Sequence, residues 1–193
     1  MDQLTIQSLI LRSKNNDTAS FGKLVEAHQS FVYRVAFRLL CNEFDTEEVV
    51  QETFIKVWKN IHRFNTEMRF KTWLYKIAVN LCYDKIKTIK RYQNKVHFDI
   101  ENSAVLNHSS LENLENNIIN HELGQIIRFL TNELTPKQKL VFTLSELEEL
   151  TTDEIVSITG LTPGKIKSNL YCARQYIKEK LSKIEERRGK YEQ

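Results

Sequence analysis

The sequence predicts an all-α protein: two small helical domains joined by a flexible linker, the C-terminal one a helix-turn-helix. Three observations carry this. Only two prolines and five glycines punctuate 193 residues, and the rest is rich in Leu, Ile, Lys, Glu and Gln, residues that lose little freedom on entering a helix. Apolar residues recur at helical spacing over long stretches, as in helices with one buried face. Gly160, Pro163 and Gly164 fall close together, so a chain otherwise sparing with breakers has placed a tight turn there.

Ile6, Leu9 and Ile10 mark the first helix. Asp17 or Thr18 can cap a second, containing Phe21, Leu24 and Val25, and a break is expected near His28 to Ser30 before Phe31, Val32, Val35, Ala36, Leu39 and Leu40. The next helix is expected to start with Asp45 or Thr46 as N-cap and Glu48 closing a capping box, and to end near Asn60. Its apolar stripe is Val50, Phe54, Val57 and Trp58. A polar interruption from Ile61 to Arg69 precedes an amphipathic helix from Phe70 to about Lys90, with Trp73, Leu74, Ile77, Leu81 and Ile86 along one side.

Periodicity then fades between Gln93 and Asn117, a stretch rich in Asn, Ser and acids. It divides the chain into a first domain over 1–94, a linker over 95–117 and a second domain over 118–193. There, Ile118, Ile119, Leu123, Ile126, Ile127 and Leu130 suggest one helix. Thr135 as N-cap with Pro136 in the first position starts another, through Leu140, Val141, Leu144 and Leu147. Thr151 or Thr152 caps a short helix ended by Gly160, and Thr162 caps a long one that begins with Pro163 and runs to about Ile184.

The charge is informative through its placement, since a net +3 is too small to argue for a polyanionic partner by itself. Asp45 to Glu52 holds four acids and no base, which suits a protein partner. Arg69 to Lys95 holds eight bases against the single acid Asp84, interleaved with aromatics, the composition that holds a phosphate backbone while stacking unpaired bases. Pro163 to Lys183 holds six bases against Glu179. A short helix, a tight turn and a longer basic helix form the arrangement in which the second helix enters the DNA major groove. Ile155, Ile158, Leu161, Ile166, Leu170, Ala173 and Ile177 would supply hinge and core, leaving Gly164, Lys165, Lys167, Ser168, Tyr171 and Arg174 to the groove.

Other classes find little support. Three cysteines, Cys41, Cys82 and Cys172, lie far apart with no CxxC and read as small buried apolar residues in a reducing, cytoplasmic setting. The histidines show no ligand spacing, so no metal or cofactor is expected. No Ser/His/Asp grouping, glycine-rich phosphate loop or framed carboxylate pair points to an enzyme or a small-molecule substrate.

Three segments, DTEEVVQETFIKVWK (Asp45 to Lys59), FKTWLYKIAVNLCYDKIK (Phe70 to Lys87) and LTTDEIVSITGLTPGKIKSNLYCAR (Leu150 to Arg174), occur in this order. With them the chain resembles bacterial RNA polymerase sigma factors of the sigma-70 family, extracytoplasmic-function subfamily, from Phe21 to Leu181. The resemblance implies a transcription initiation factor that binds RNA polymerase core, through the β′ clamp and β subunits, and directs it to promoter DNA. Glu48, Gln51, Glu52 and Phe54 would contact the clamp. Phe64, Asn65 and Arg69 would accept a base flipped from the minus-10 element, Asn80 and Asp84 would face the promoter strand, and Lys76, Lys87, Lys90 and Arg91 would hold phosphates. The groove-facing residues after Pro163 would read the minus-35 element. Asn169 and Cys172 stand where the family often has bases, so phosphate anchoring would lean on Lys165, Lys167, Arg174 and Lys178. No long domain intervenes between the two DNA-reading parts, and an anti-sigma factor is the implied restraint. The competing reading is a free-standing helix-turn-helix regulator, for which the acidic helix would have no docking role.

Overall fold

The structure, a computed structural model, describes residues 2–66, 68–99 and 125–189, with side chains described for these except 3, 93–99 and 184–189. Among the described residues every regular element is helical. Helix α1 spans Gln3–Lys14 and α2 spans Thr18–Leu40, the latter capped by Asp17, whose carboxylate accepts from the Ser20 amide at 3.0 Å. The break expected near His28 is absent. No Pro or Gly lies between Lys23 and Leu40, and His28 is itself a core residue, 7% exposed. Its Nδ1 lies 2.9 Å from the Leu24 carbonyl and its ring packs edge-on against Phe70 at 5.2 Å.

Burial, with a smaller contribution from nearby Lys71, lowers the His28 pKa from its ordinary 6.5, against the opposing pull of the Leu24 carbonyl. The unfolded chain therefore takes up this proton before the folded one does, so stability is complete above pH 6.5 and declines as pH falls below it. A His28→Gln variant is expected to lose part of this acid sensitivity, measured as the pH dependence of the urea midpoint. An unchanged profile would show that His28 does not cause it.

Helix α3 spans Glu43–Asn60, earlier than the expected start at Asp45 or Thr46. Cys41 takes a left-handed conformation (φ 53°) and turns the chain at once, so Asn42 becomes the N-cap and accepts from the Asp45 amide at 2.9 Å. Thr46, one of the expected caps, is fully buried inside the helix, its hydroxyl donating to the Asn42 carbonyl. A short 3-10 turn, Ile61–Arg63, leads to helix α4, Phe70–Asp99, which continues past Lys90 into the stretch expected as linker. Leu24, Val32, Val57 and Leu74 are fully buried where α2, α3 and α4 meet.

In the C-terminal part, residues 125–131 are helical (α5). The expected helix residues Ile118, Ile119 and Leu123 lie outside the described residues; Ile127 is buried, while Ile126 is exposed. Helix α6, Pro136–Phe142, starts as expected: Thr135 and Gln138 cap each other reciprocally. It runs into a π-helical turn, Thr143–Leu147. Helix α7, Thr152–Thr159, opens on a Thr151–Glu154 capping box and closes at Gly160, whose φ of 70° is readily available only to glycine. Helix α8, Pro163–Gly189, follows. Ile155, Ile158, Ile166, Ala173 and Ile177 are buried, with Leu161 and Leu170 half-buried, which makes α7, the turn and α8 a helix-turn-helix.

The two helical regions share a core. Leu140, Val141, Leu144, Ile155 and Ile158 belong to the same buried cluster as Val35, Leu39, Tyr75, Val79 and Ile86: α6 and α7 lie against α4, and the π turn after α6 lies against α2.

Candidate nucleic-acid interface

The acidic face of α3 is a solvent-facing strip. Glu47, Glu48, Gln51 and Glu52 are exposed, as are the apolar side chains of Phe44 (76%) and Ile55 (52%). Glu48 accepts from Lys85 of α4 at 2.7 Å, and Lys85 also pairs with Asp45 at 3.0 Å. The Glu48 hydrogen bond, with the pairing to Asp45 beside it, raises the Lys85 pKa against the opposing effect of burial. Phe54 differs from the expectation placed on it: 7% exposed, it packs among Val57, Ile61, Phe64, Phe70 and Leu74. Its place in the i, i+3, i+4 stripe facing α2 and α4 makes it a support beneath the strip rather than part of its surface. Ile55 is expected from the sequence among the acidic residues off the apolar stripe, but neither it nor Phe44, which stands between Glu43 and Asp45, is a sequence-derived contact candidate; the signal available was their shared face with Glu48 and Glu52.

The loop after α3 brings a basic rim to an aromatic base. Asn65 and Arg69 are exposed. Phe64 is not: at 4% exposure it lies against Trp73 (4.8 Å between ring centres) and edge-on to Phe70 (5.7 Å), and its carbonyl accepts from Lys14 Nζ at 2.8 Å. The ring expected in a base pocket is therefore buried beneath the exposed residues of the loop. Trp73, half-buried in the first turn of α4, is the aromatic of this trio with surface left to offer.

Along α4, Lys76, Asn80, Asp84, Lys87 and Arg91 are all exposed, and their spacing of four, four, three and four places them on one face. Lys87 pairs with Asp84 at 2.7 Å and lies over the Tyr83 ring. That hydrogen bond to Asp84 raises the Lys87 pKa. Lys90 is half-buried and donates to the Asn132 carbonyl of the C-terminal region at 3.2 Å, so it is already engaged.

On α8, Gly164, Lys165, Lys167, Ser168, Tyr171 and Arg174 are all exposed, Tyr171 at 65%. The Lys165 amide faces the Thr162 hydroxyl at 3.4 Å, the expected cap. Arg174 pairs with Glu146 of the π turn at 2.7 Å. Cys172 is exposed, unlike buried Cys41 and Cys82, and so departs from the expectation of three buried thiols.

An all-helical chain with an acidic strip on one helix, a basic aromatic face on the next and a basic reading helix after a tight turn belongs to the class of promoter-reading transcription proteins. The Sigma-70 region 2 model matches residues 24–92 and the Sigma-70 region 4 model residues 124–177. The chain is 32% identical over 187 residues to an ECF RNA polymerase sigma-E factor of Haemophilus influenzae, covering 95% of this chain and 98% of that protein. It is 31% identical over 190 residues to the Escherichia coli K12 sigma-E factor (95% and 97% covered) and 27% identical over 183 residues to the Bacillus subtilis factor SigW (93% and 98%). Two solved structures share the fold: CnrH in complex with the cytosolic domain of CnrY (TM-score 0.62, 18% identity, 92% of this chain and 97% of that one), and the sigma factor RpoE with the anti-sigma factor NepR from Bartonella quintana (0.58, 22%, 84% and 96%). The chain belongs to the ECF sigma factors of the sigma-70 family. It is an initiation factor that directs RNA polymerase to promoters.

Proposed function

We propose that the exposed strip of α3, with Glu48, Gln51 and Glu52 flanked by Phe44 and Ile55, is where the β′ clamp of RNA polymerase holds this factor. Asn65 and Arg69, above the Phe64 floor and beside Trp73, receive a flipped minus-10 base. Asn80 and Asp84 face the promoter strand, with Lys76, Lys87 and Arg91 holding phosphates and Lys90 joining them once it leaves Asn132. The α8 face from Gly164 to Arg174 reads the minus-35 element. The factor contributes no catalytic step of its own and acts in the cytoplasm; among the described residues no helix is long and apolar enough to cross a membrane. Its partners are core polymerase, promoter DNA and an anti-sigma factor.

The observation that carries this reading is the pairing of two exposed basic DNA faces, on separate helical regions, with an acidic strip facing away from the core. A free-standing regulator would need the DNA faces but not the strip. Run-off transcription with purified core and genomic promoter fragments tests it: the expected result is promoter-dependent transcripts only when this protein is added. Transcripts equal with and without it would refute the reading.

A further inference from the structure

A basic and aromatic cluster lies outside every surface assigned above, where α2 meets the start of α4. Lys71 Nζ stands 4.5 Å from the centre of the Phe31 ring, and the guanidinium carbon of Arg34 stands 5.9 Å from the centre of the same ring. Phe31 is half-buried and rests on buried Tyr75, with 5.5 Å between ring centres, so the ring is a fixed platform for both cations. Lys71 and Arg34 are themselves exposed, and neither has an ion-pair partner among the described residues.

Two positive charges gathered at one ring repel each other, and nothing on the fold offsets them. Lys56, Lys85 and Lys87, by contrast, are each neutralised by a nearby carboxylate. Lys71 also stands in the first turn of α4, which carries no acid and where the helix dipole already disfavours a cation. Arg69, exposed just before it, adds a further base. This charge does not serve folding. A surface that concentrates cations without a counter-ion of its own is complementary to an anion supplied from outside.

Which anion follows from the neighbouring surfaces, and here the inference rests on the flipped-base reading proposed above. Trp73 and the exposed loop residues Asn65 and Arg69 lie at the start of α4. Lys71, two positions before Trp73, projects about 200° around the helix from it, which carries its side chain over to Phe31 of α2. The exposed face from Lys76 to Arg91 runs the other way, towards the C-terminal region that Lys90 meets at Asn132. A strand on that face leads back to the minus-35 element. On the other side of the flipped base the strand crosses the end of α4, where Lys71 and Arg34 stand.

We infer that Lys71 and Arg34, held at the Phe31 ring, bind backbone phosphates of the single strand of the melted promoter, on the side of the flipped base away from the minus-35 element. The test uses holoenzyme assembled from core and the full chain carrying Arg34→Gln, Lys71→Gln, both, or Lys71→Arg, with circular dichroism as the check on folding. The probes are two forked fragments of a promoter that the wild type transcribes. In one the exposed strand continues past the minus-10 element; in the other it is cut at the end of that element. Fluorescence anisotropy across a salt series reads binding to each, and a separate titration reads affinity for core.

Each glutamine is expected to flatten the salt slope on the long fork by about 0.7 log units, the value per phosphate contact on a single strand, and the pair by about 1.4. Binding to the short fork and affinity for core stay at the wild-type values, and Lys71→Arg, which keeps the charge, keeps the slope. An unchanged long-fork slope in the folded double variant would overturn the site, as would an equal loss on the short fork. Weakened core binding with an unchanged long-fork slope would assign the two cations to an acidic surface of polymerase and overturn it as well. A wild type that transcribes no promoter fragment refutes the functional reading, whereas one that transcribes while its variants match it on the long fork refutes this site alone.

Discussion

Reversing Glu48 and Glu52 to lysine is expected to abolish co-purification with RNA polymerase core while leaving the helical fold intact. In the free protein both carboxylates are spectators of folding. Glu48 is 53% exposed and paired with Lys85, and Glu52 is 47% exposed and paired with Lys56 at 3.2 Å. Exposed pairs of this kind contribute at most ~1 kcal/mol each, against a core of fully buried side chains beneath them. Docking changes the balance. A charge pair desolvated in an interface costs about 2–5 kcal/mol when one member is removed, and more when its sign is inverted. Two such losses correspond to at least a hundredfold fall in affinity. Pull-down on tagged core, with circular dichroism as the control for folding, reads the effect. Retained co-purification of a folded variant would show that α3 is not the handle.

The helical class, the two-part organisation and the helix-turn-helix were legible because their signals are local. Thr135 before Pro136, Thr151 three residues before Glu154, and Gly160 at the end of an apolar pattern each specify a terminus through the nearest few residues, and each lies where expected. The misplaced boundaries depended on something further away. The start of α3 hinged on Cys41 adopting a left-handed conformation that nothing in its residue type favours, which handed the cap to Asn42. The continuity of α2 hinged on a histidine whose polar ring is absorbed by a carbonyl one turn back and by Phe70 of another helix.

The candidate surfaces divide the same way. Charged and polar candidates other than half-buried Lys90 came out exposed, because a lysine or glutamate in a helical pattern has almost nowhere else to go. The aromatic candidates Phe54 and Phe64 did not, since a phenylalanine beside a functional segment is read equally well as contact or as support, and only packing against Phe70, Leu74 and Trp73 decides. Least legible was the seam between the two helical regions. Leu140, Val141 and Leu144 announce a buried face, but the sequence pattern does not say that its other half is α2 and α4 of the preceding region. Lys90 and Arg38, which look like solvent cations, are committed there to carbonyls of the other region.

Replacing Lys167 and Arg174 by alanine is expected to weaken binding to a minus-35 duplex and to flatten its salt dependence by about 0.9 log units per lost phosphate contact, or roughly 1.8 for the pair. The two positions should not contribute equally to affinity. Lys167 is exposed with no ion pair among the described residues, so its full charge is available to a phosphate. Arg174 is held 2.7 Å from Glu146, with the side chains 58% and 32% exposed, and must give up or share that partner to reach DNA. The affinity lost in Arg174→Ala is therefore smaller than in Lys167→Ala, while Glu146→Gln, which frees Arg174, strengthens binding severalfold at low salt. Fluorescence anisotropy across a salt series measures both quantities. An unaltered slope in the double variant would show that neither side chain meets a phosphate, and an unaltered affinity in Glu146→Gln would show that the pair does not compete with DNA. The comparison separates charge that reaches the backbone from charge the fold has already neutralised, a distinction that counting lysines and arginines along α8 cannot make.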